Sequence, residues 1–316
     1  MNEIPALPGL PARALAPAKI NLGLFLGPIR SEDARHELVT VMQSISLADE
    51  LTLELAPAEV EQDEVSCPGV SGAVTENLAA RALKAFRAAT GWEAPPLRMS
   101  IVKRIPVAAG LGGGSADAAA ALRLAKHASG LGDDALLLEL GAALGADVPA
   151  QVAPGRWLAG GAGELLEALP DPNPASFGLL VLPAVAGLST AEVYAEADRL
   201  GLGRSSDALQ ERRRSLCRAL ELSAAVPAAS ELLDNDLQRA AISLCPEIAA
   251  ALSQAREAGA EIALVSGSGP TVVGLFPHAN GLGRAERAAA GLEGRVPAPI
   301  CATPVDALFA RVTAGT

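Results

Sequence analysis

The stretch Pro106–Ala121, which reads PVAAGLGGGSADAAAA, decides how this chain folds. Four glycines lie between positions 110 and 114, and Ser115 and an alanine-rich run that predicts a helix follow them. The preceding segment, Leu97–Ile105, alternates polar and apolar residues and predicts a strand. Such a junction can hold an anion, because glycines allow close backbone approach and a helix start offers unpaired N–H groups. We therefore expect the loop to bind a polyphosphate.

The loop fits neither of the two commonest phosphate-binding patterns. The pattern G-x-x-x-x-G-K-[ST] requires a lysine after the last glycine, where this chain has Ser115. The pattern G-x-G-x-x-G fails as well, since no glycine stands three residues after Gly112 or Gly113. A glycine-rich loop that only precedes a core helix is the alternative at this point.

Composition limits the class of protein. The chain has 316 residues, half of them hydrophobic, with a net charge of −11 and a mean hydropathy of +0.30. This length predicts two domains of about 150 residues each, and the acidity argues against a nucleic-acid partner. Four scattered cysteines argue against structural zinc or a disulfide framework and favour a cytoplasmic protein. No apolar run reaches the ~18 residues of a membrane span, and the N-terminus is interpreted as a ragged extension rather than a signal peptide.

Four charged or polar positions outside the loop suit phosphoryl chemistry. Lys19 and Asn21 interrupt the apolar segment Ala16–Gly27, and strand alternation puts both on one face, which could also be a solvated face. Asp147 precedes Val148-Pro149, where an aspartate commonly only caps a turn. Lys103, just before the loop, could reach bound phosphates or could be a solvated edge-strand lysine.

These segments resemble the motifs of the GHMP small-molecule kinases. The resemblance lies in Pro-Ala-Lys-Ile-Asn-Leu from residue 17, in the glycine loop, and in the Gly-Ser turn at residues 266–270. It spans Pro17 to Phe276 in order, and Gly-Ala-Asp-Val-Pro at 145–149 also matches a family motif. The run Gly-Gly-Gly-Ser-Ala-Asp is similar to the subgroup that phosphorylates a cytidine-diphosphate-linked methylerythritol. Homoserine and mevalonate kinases usually carry G-L-x-S-S-A instead.

The resemblance implies an α+β fold of two GHMP kinase domains with the active site in the cleft between them. We expect an N-terminal ATP-binding domain at residues 1–157 and a C-terminal, ferredoxin-like domain at residues 158–316. Periodicity adds a helix over Asn77–Thr90, capped by Thr75 or Asn77, a charged helix over Ala195–Ala225 and an edge strand over Pro299–Val305.

The resemblance also implies the site residues. Lys19 and Asp147 are expected to be catalytic, Lys19 beside the transferred phosphate and Asp147 as general base. The residues expected to bind ATP are Lys103, Pro106, Gly110, Leu111, Gly112, Gly113, Gly114, Ser115 and Ala116. The residues expected to bind the substrate are Asn21, Arg35, His36, Asp147, Thr190 and Tyr194. Mg²⁺ would bridge the ATP phosphates beside Ser115, since no carboxylate ligand set is evident in the sequence.

Arg35 stands where the resembling subgroup usually carries a tyrosine. We expect cytosine to stack between Arg35 and Tyr194 while His36 hydrogen-bonds the amide edge of the ring. The N-terminal extension is a further departure from the family pattern. So is the pair Ala150-Gln151, where the family often has aromatic residues.

The expected activity is ATP-dependent phosphorylation of the 2-hydroxyl of the cytidine-diphosphate-linked methylerythritol, an isoprenoid precursor. The expected partner is this small molecule alone, with no nucleic acid or membrane, and the expected state is a monomer or weak homodimer in the cytoplasm. Two alternatives remain open, another GHMP kinase of the homoserine or mevalonate type and a non-catalytic nucleotide-binding homologue. The presence of both Lys19 and Asp147 argues against the second.

Overall fold

The computed structural model describes residues 9–70, 76–185, 187–221 and 232–315. The predicted cap at Thr75 and the interpretation of residues 1–8 as part of an extension lie outside these ranges. The strands within them are β1 (Ala12–Ile29), β2 (His36–Leu55), β3 (Glu64–Ser66), β4 (Leu97–Val102), β5 (Arg156–Gly160), β6 (Leu165–Leu169), β7 (Phe177–Leu182), β8 (Ile262–Val265), β9 (Val272–Pro277), β10 (Ile300–Ala302) and β11 (Thr313–Ala314).

Nine α-helices complete the described part of the chain. They are α1 (Leu78–Thr90), α2 (Gly113–Ser129), α3 (Asp134–Leu144), α4 (Val148–Val152), α5 (Thr190–Arg199), α6 (Ser206–Glu221), α7 (Gln238–Leu244), α8 (Glu247–Glu257) and α9 (Gly281–Ala290). None of these helices has both the length and the apolar character needed to cross a membrane. The mixture of helices and strands confirms the predicted α+β class.

The strands form two sheets. The larger has seven strands in the order β11-β1-β2-β4-β3, and β5 and β6 extend it from the first half of β2. The smaller is antiparallel, with the order β10-β7-β9-β8. The predicted edge strand near the C-terminus is confirmed as β10, at one edge of the smaller sheet.

The chain passes from the larger sheet to the smaller one at a different point from the predicted domain boundary between residues 157 and 158. That boundary falls inside β5, which pairs with β2 on one side and β6 on the other. The glycine-rich stretch at 158–164 forms the end of β5 and the turn into β6. The chain passes to the smaller sheet between Leu169 and Phe177, and β11 later returns to the larger one.

Local sequence signals explain the two helices that pack together on the larger sheet. α1 begins after Asn77, whose side chain accepts a backbone N–H of the first turn, and ends at Gly91 with a φ of 65°, as predicted. α2 begins at Gly113, before the alanine run, because Gly112 has a φ of 69° that directs the chain into the helix. Ala118–Ala121 are fully buried, since their small side chains allow close packing against neighbouring elements.

The charged helix predicted over Ala195–Ala225 is wrong in extent. It is two helices, α5 and α6, separated by residues 200–205. Gly201 in this break has a φ of 65°, a value that a continuing helix does not allow. Residues 222–225 of the predicted helix lie outside the described ranges.

A shared hydrophobic core joins the two sheets. Ile20 and Leu22 of β1 belong to one buried cluster with Leu179 of β7 and Leu275 of β9. Lys19 and Asn21 point to the other face of β1, where both side chains lie within 4 Å of a Cβ built at Gly267, in the turn after β8.

Candidate active site

Two cavities of about 340 Å³ each adjoin the glycine loop. The central cavity lies between β1, β2, the start of α5 and the turn at residues 266–270, and Lys19, Asp147 and Tyr194 line it. The outer cavity lies on the other side of the loop, and its walls include Asn77 and Lys103. Both cavities are lined by Gly110, Gly112 and Ser115. The loop therefore forms a common wall at which two ligands can meet.

The glycines of this loop are required by close packing. A Cβ added at Gly110 would lie 2.7 Å and 2.8 Å from the carbonyl oxygens of Ser266 and Gly269, and the φ of Gly110 is +75°. A Cβ at Gly112 would lie 2.9 Å from the Lys19 side chain. Only glycine fits both the space and the backbone conformation at these two positions.

The first turn of α2 supplies backbone donors to the loop. The first N–H groups of a helix have no partner within it, which here leaves those of residues 113–115 available to an anion. Ala116 differs from the expectation, because its N–H donates to the Gly112 carbonyl at 2.9 Å and its side chain is buried. Pro106, Leu111 and the loop glycines line the outer cavity, although the Leu111 side chain itself lies in the core.

Lys19 and Asp147 come together in the central cavity. The Lys19 Nζ donates to Asn21 Oδ1 at 2.8 Å and lies 3.3 Å from Asp147 Oδ2. Lys19 and Asn21 are more than nine-tenths buried, so the interpretation of a solvated strand face is wrong. Asp147 precedes α4 but makes no side-chain capping bond, which leaves its carboxylate facing Lys19.

Thr190 and Tyr194 form the wall of the central cavity opposite β1. Ser189 caps α5, and the Thr190 Oγ1 lies 3.0 Å from Ser268 Oγ in the turn at 266–270. Burial, with a smaller contribution from the Asp147 carboxylate, raises the pKa of Tyr194 to about 12. The phenol is therefore neutral, and its ring gives the cavity a flat apolar surface.

His36 is hydrogen-bonded at one ring nitrogen and lies close to a carboxylate at the other. Its Nδ1 lies 2.9 Å from the Gly27 carbonyl oxygen, which can only accept, so Nδ1 carries a proton. Its Nε2 lies 2.9 Å from Asp198 Oδ1, without good hydrogen-bond alignment. The ring stands 5.7 Å from that of Tyr194 at a tilt of 46°. A ligand that uses Nε2 must therefore displace Asp198.

Arg35 does not take the position expected of a stacking partner. Its Nε donates to Asp33 Oδ2 at 2.7 Å, its Nη2 lies 3.9 Å from Glu164, and its side chain is 54% exposed. Arg30 also pairs with both carboxylates, and Arg30 and then Arg35 hold the pKa of Asp33 well below its usual range. These contacts hold Arg35 at the exposed rim of the site, and Arg35 is not among the residues that line the central cavity.

Lys103 lies between two buried carboxylates. Its Nζ is 2.5 Å from Asp49 Oδ2 and 2.7 Å from Asp117 Oδ2. Asp49 also accepts the backbone N–H groups of residues 104 and 105, so the strand predicted to reach Ile105 ends at Val102. The expectation that Lys103 extends freely toward a phosphate is therefore not met by this geometry, although its side chain borders the outer cavity.

The buried Asp117 carboxyl group is only partly paired within this cluster. Burial raises its pKa to about 7, against the opposing charge of Lys103. Its second oxygen, Oδ1, is buried and has no hydrogen-bond partner among the residues that the structure describes. The pKa of Lys103 is raised as well, because the attraction of Asp117 and Asp49 outweighs burial.

Some residues around the cavities were not expected from the sequence. Thr40 lines the central cavity from β2, and Ser268 lines it from the turn at 266–270. That turn was noted as a motif, but nothing near Thr40 in the sequence distinguishes it from other strand threonines. Within the described ranges, no three His, Cys, Asp or Glu side chains are grouped so that they could hold a metal ion.

Comparisons with known proteins give consistent matches. The model for the GHMP kinases N terminal domain matches residues 77–155, and that for the GHMP kinases C terminal matches residues 197–295. Proteins named 4-diphosphocytidyl-2-C-methyl-D-erythritol kinase from Corynebacterium efficiens and Salinispora tropica are 40% and 41% identical. The matches span 84% of this chain and 85% of the first relative, and 89% and 88% for the second. A crystal structure of 4-(cytidine 5'-diphospho)-2C-methyl-D-erythritol kinase matches with a TM-score of 0.71 and 32% identity, over 92% of this chain and 98% of that one.

Proposed function

The chain belongs to the GHMP kinase family, and we propose that it transfers the γ-phosphoryl group of ATP to the 2-hydroxyl of 4-diphosphocytidyl-2-C-methyl-D-erythritol. The single observation that carries this reaction is the shared wall of the two cavities. Gly110, Gly112 and Ser115 line both, so a nucleotide in the outer cavity and an alcohol in the central cavity can meet beside Lys19 and Asp147.

The loop would bind the ATP phosphates with its backbone. The free N–H groups of residues 113–115 and the positive end of the α2 dipole favour an anion at this point. In this proposal Lys103 shapes the outer cavity beside Asp49 and Asp117 rather than neutralising a phosphate. The remaining predicted ATP ligands, Pro106 and Leu111, would contribute shape alone.

Lys19 and Asp147 would carry out the transfer. The oxygen of the substrate 2-hydroxyl forms a bond to the γ-phosphorus while Asp147 accepts the hydroxyl proton. The bond between the γ-phosphorus and the β,γ-bridging oxygen breaks at the same time and releases ADP. Two of the three Lys19 N–H groups face Asn21 and Asp147, which leaves one for the oxygens of the transferred group. Positioning and charge neutralisation supply most of the catalysis in such reactions.

Mg²⁺ fits this site as an ion carried by the nucleotide. Mg²⁺ in nucleotide sites binds mainly to phosphates and water. The Ser115 hydroxyl is the side chain on the loop that would contact it. When bound, the ion supplies positive charge to the phosphate oxygens.

The base of the substrate would lie on the ring of Tyr194. Thr190 would contact the same ligand from the start of α5, and His36 would be reached by displacing Asp198. We assign Arg35 to the rim, since its guanidinium is bound by Asp33 and Glu164. Stacking in this proposal is therefore one-sided.

The proposal also covers the domain boundary, the partner, the cellular location, the oligomeric state and the fate of the product. The domain boundary lies between Leu169 and Phe177, where the chain changes sheets. The partner is a small molecule, and the protein acts in the cytoplasm as a monomer or weak homodimer. Its product would enter the synthesis of isoprenoid precursors.

ADP release with a panel of acceptor alcohols tests the function. We expect release that depends on the cytidine-linked methylerythritol, with phosphorus NMR showing a new monophosphate ester on the tertiary carbon that bears the 2-hydroxyl. Homoserine and mevalonate serve as the matched controls for the alternative kinases. Turnover with either control and none with the cytidine compound would overturn the substrate assignment, and ATP binding without any turnover would favour the non-catalytic alternative.

A further inference from the structure

A buried chain of hydrogen bonds leads from β2 to the catalytic lysine. Thr40 Oγ1 lies 2.7 Å from the Gly23 carbonyl oxygen, and Asn21 Nδ2 lies 2.7 Å from Thr40 Oγ1. Asn21 Oδ1 then accepts from Lys19 Nζ at 2.8 Å. Lys19, Asn21 and Thr40 are each more than nine-tenths buried as whole residues, so bulk water is a poor substitute for any of these partners.

The direction of each bond follows from proton counting. A carbonyl oxygen only accepts, so the single hydroxyl proton of Thr40 is donated to Gly23. The Thr40 oxygen must then accept, and the group that faces it must be the NH₂ of Asn21 rather than its carbonyl oxygen. This leaves Asn21 Oδ1 to face Lys19.

The opposite amide orientation would be unfavourable at both ends. Asn21 Oδ1 would face a Thr40 oxygen that has no proton left to give, and the NH₂ group would face the Lys19 ammonium. A buried polar group without a partner is costly, and a donor against a cation is worse. The Thr40 hydroxyl thus selects one of two amide orientations that are nearly equal in shape.

We infer that Thr40 is a positioning residue, which sets the direction of the Lys19 ammonium through Asn21 without contacting the reactants through its hydroxyl. The backbone supports this role. A bulge between Asn21 and Gly23 interrupts the regular β1–β2 register, and Thr40 pairs with Leu24 just beyond it. The inference rests on the proposed function, because Lys19 is assigned to phosphoryl transfer only there.

The test compares Thr40→Val with Thr40→Ser. Valine keeps the branched shape and removes the hydroxyl, while serine keeps the hydroxyl. We expect Thr40→Val to lower kcat by about tenfold to a hundredfold, since small misplacements of catalytic groups cost this much. The KM for ATP should change by less than about threefold, and Thr40→Ser should stay within about threefold of wild type in kcat.

Thr52→Val is the matched control, because it makes the same substitution further along β2, where the threonine is half-buried and lines neither cavity. We expect its kcat to equal that of wild type. Thr40→Ala provides a second variant should valine prevent folding, and thermal unfolding establishes that each variant is folded. A folded Thr40→Val enzyme with kcat within twofold of wild type would overturn the inference.

A double mutant separates positioning through Asn21 from a general structural effect. In an Asn21→Ala background, Thr40→Val should lower kcat by no more than about twofold further, since the group through which it acts is gone. A full additional loss would show that Thr40 acts by another route.

Hydrogen exchange of the Asn21 side-chain amide gives a readout that needs no turnover. We expect exchange to be at least tenfold faster in Thr40→Val than in wild type or Thr40→Ser. If wild type fails to phosphorylate the cytidine substrate, the proposed function falls and this exchange alone decides the positioning role. Unchanged exchange in Thr40→Val would overturn it.

Discussion

Lys19 and Lys103 lie on opposite sides of one glycine loop, and each faces carboxylates in a different way. Lys19 shares its charge with one partly exposed carboxylate, Asp147, and one amide. Lys103 lies between Asp49 and Asp117, whose side chains are 0% and 6% exposed. Each ammonium directs two of its three N–H groups at the protein, but Lys19 offsets one partly exposed carboxylate, whereas Lys103 lies between two buried ones.

This difference teaches how similar ion pairs serve different purposes. A buried pair is costly to break, because removing one partner leaves an uncompensated charge. The Lys103 cluster therefore bears mainly on stability and on the shape of the outer cavity. The Lys19 cluster bears on chemistry, and the following predictions test that separation.

The largest effect should come from Asp147→Asn. The substitution keeps the size of the side chain and removes the proton acceptor, so kcat should fall by about 10²–10⁴-fold. Equilibrium binding of ATP should be nearly unchanged, because the loop that binds it is intact. Activity within threefold of wild type would show that the base lies elsewhere.

Tyr194→Ala should affect the central cavity alone. Loss of base–aromatic stacking of about 1–3 kcal/mol should raise the KM for the cytidine substrate by roughly tenfold to a hundredfold. Arg35→Ala is the rim control and should change this KM by less than about twofold, since exposed ion pairs contribute little. Steady-state kinetics for both substrates test this prediction. A raised KM for ATP in Tyr194→Ala would contradict the separation of the central cavity from the outer one.

Gly110→Ala should disturb both sides, because this residue lines both cavities. The added Cβ meets two carbonyl oxygens, so we expect a lowered Tm and an ATP KM raised about tenfold or more. Gly130→Ala is the matched control, with a φ of +67° and open space around its Cβ. It should cost only about 1–2 kcal/mol of stability and leave both KM values unchanged. Equal KM changes in the two variants would contradict the crowding argument.

A smaller effect concerns pH and the Lys103 side. Burial raises the pKa of Asp117 to about 7 from an ordinary value near 4, so the folded state binds more protons than the unfolded state between these pH values. The free energy of unfolding should therefore fall as pH rises from about 4 to about 7. Denaturant titrations of Asp117→Asn should show a weaker fall over the same range. Parallel curves for the two proteins would be inconsistent with this assignment.

The sequence was informative wherever a local signal determines the structure. The capped helix after Asn77, the helix after the glycine loop and the edge strand at Ile300–Ala302 all follow from caps, glycines or alternation. The family motifs assign Lys19 and Asp147, which are distant in the chain, to one site; their charged groups lie 3.3 Å apart, and their catalytic roles stay a prediction.

Tertiary partners explain what the sequence could not predict. The early end of β4 depends on the Asp49 carboxylate, which is remote in the chain from the N–H groups it accepts. The surroundings of His36 depend on Asp198, which is remote from it in the chain. Thr40 is of the same kind, since both of its hydrogen-bond partners, Gly23 and Asn21, lie on the neighbouring strand beside the bulge in β1. Arg35 differs, since its close partner is Asp33, two residues before it.

The most direct test of the central claim compares Lys19→Met with Lys103→Met, by kcat and by Tm. We predict that Lys19→Met loses at least about 10²-fold in kcat with little change in Tm. Lys103→Met should lower the stability by about 3–5 kcal/mol, because it leaves Asp49 and Asp117 buried without a cation. Its folded fraction should still turn over within about tenfold of wild type. A Lys103→Met enzyme with normal Tm and lost kcat, or a Lys19→Met enzyme with lowered Tm and normal kcat, would contradict the account.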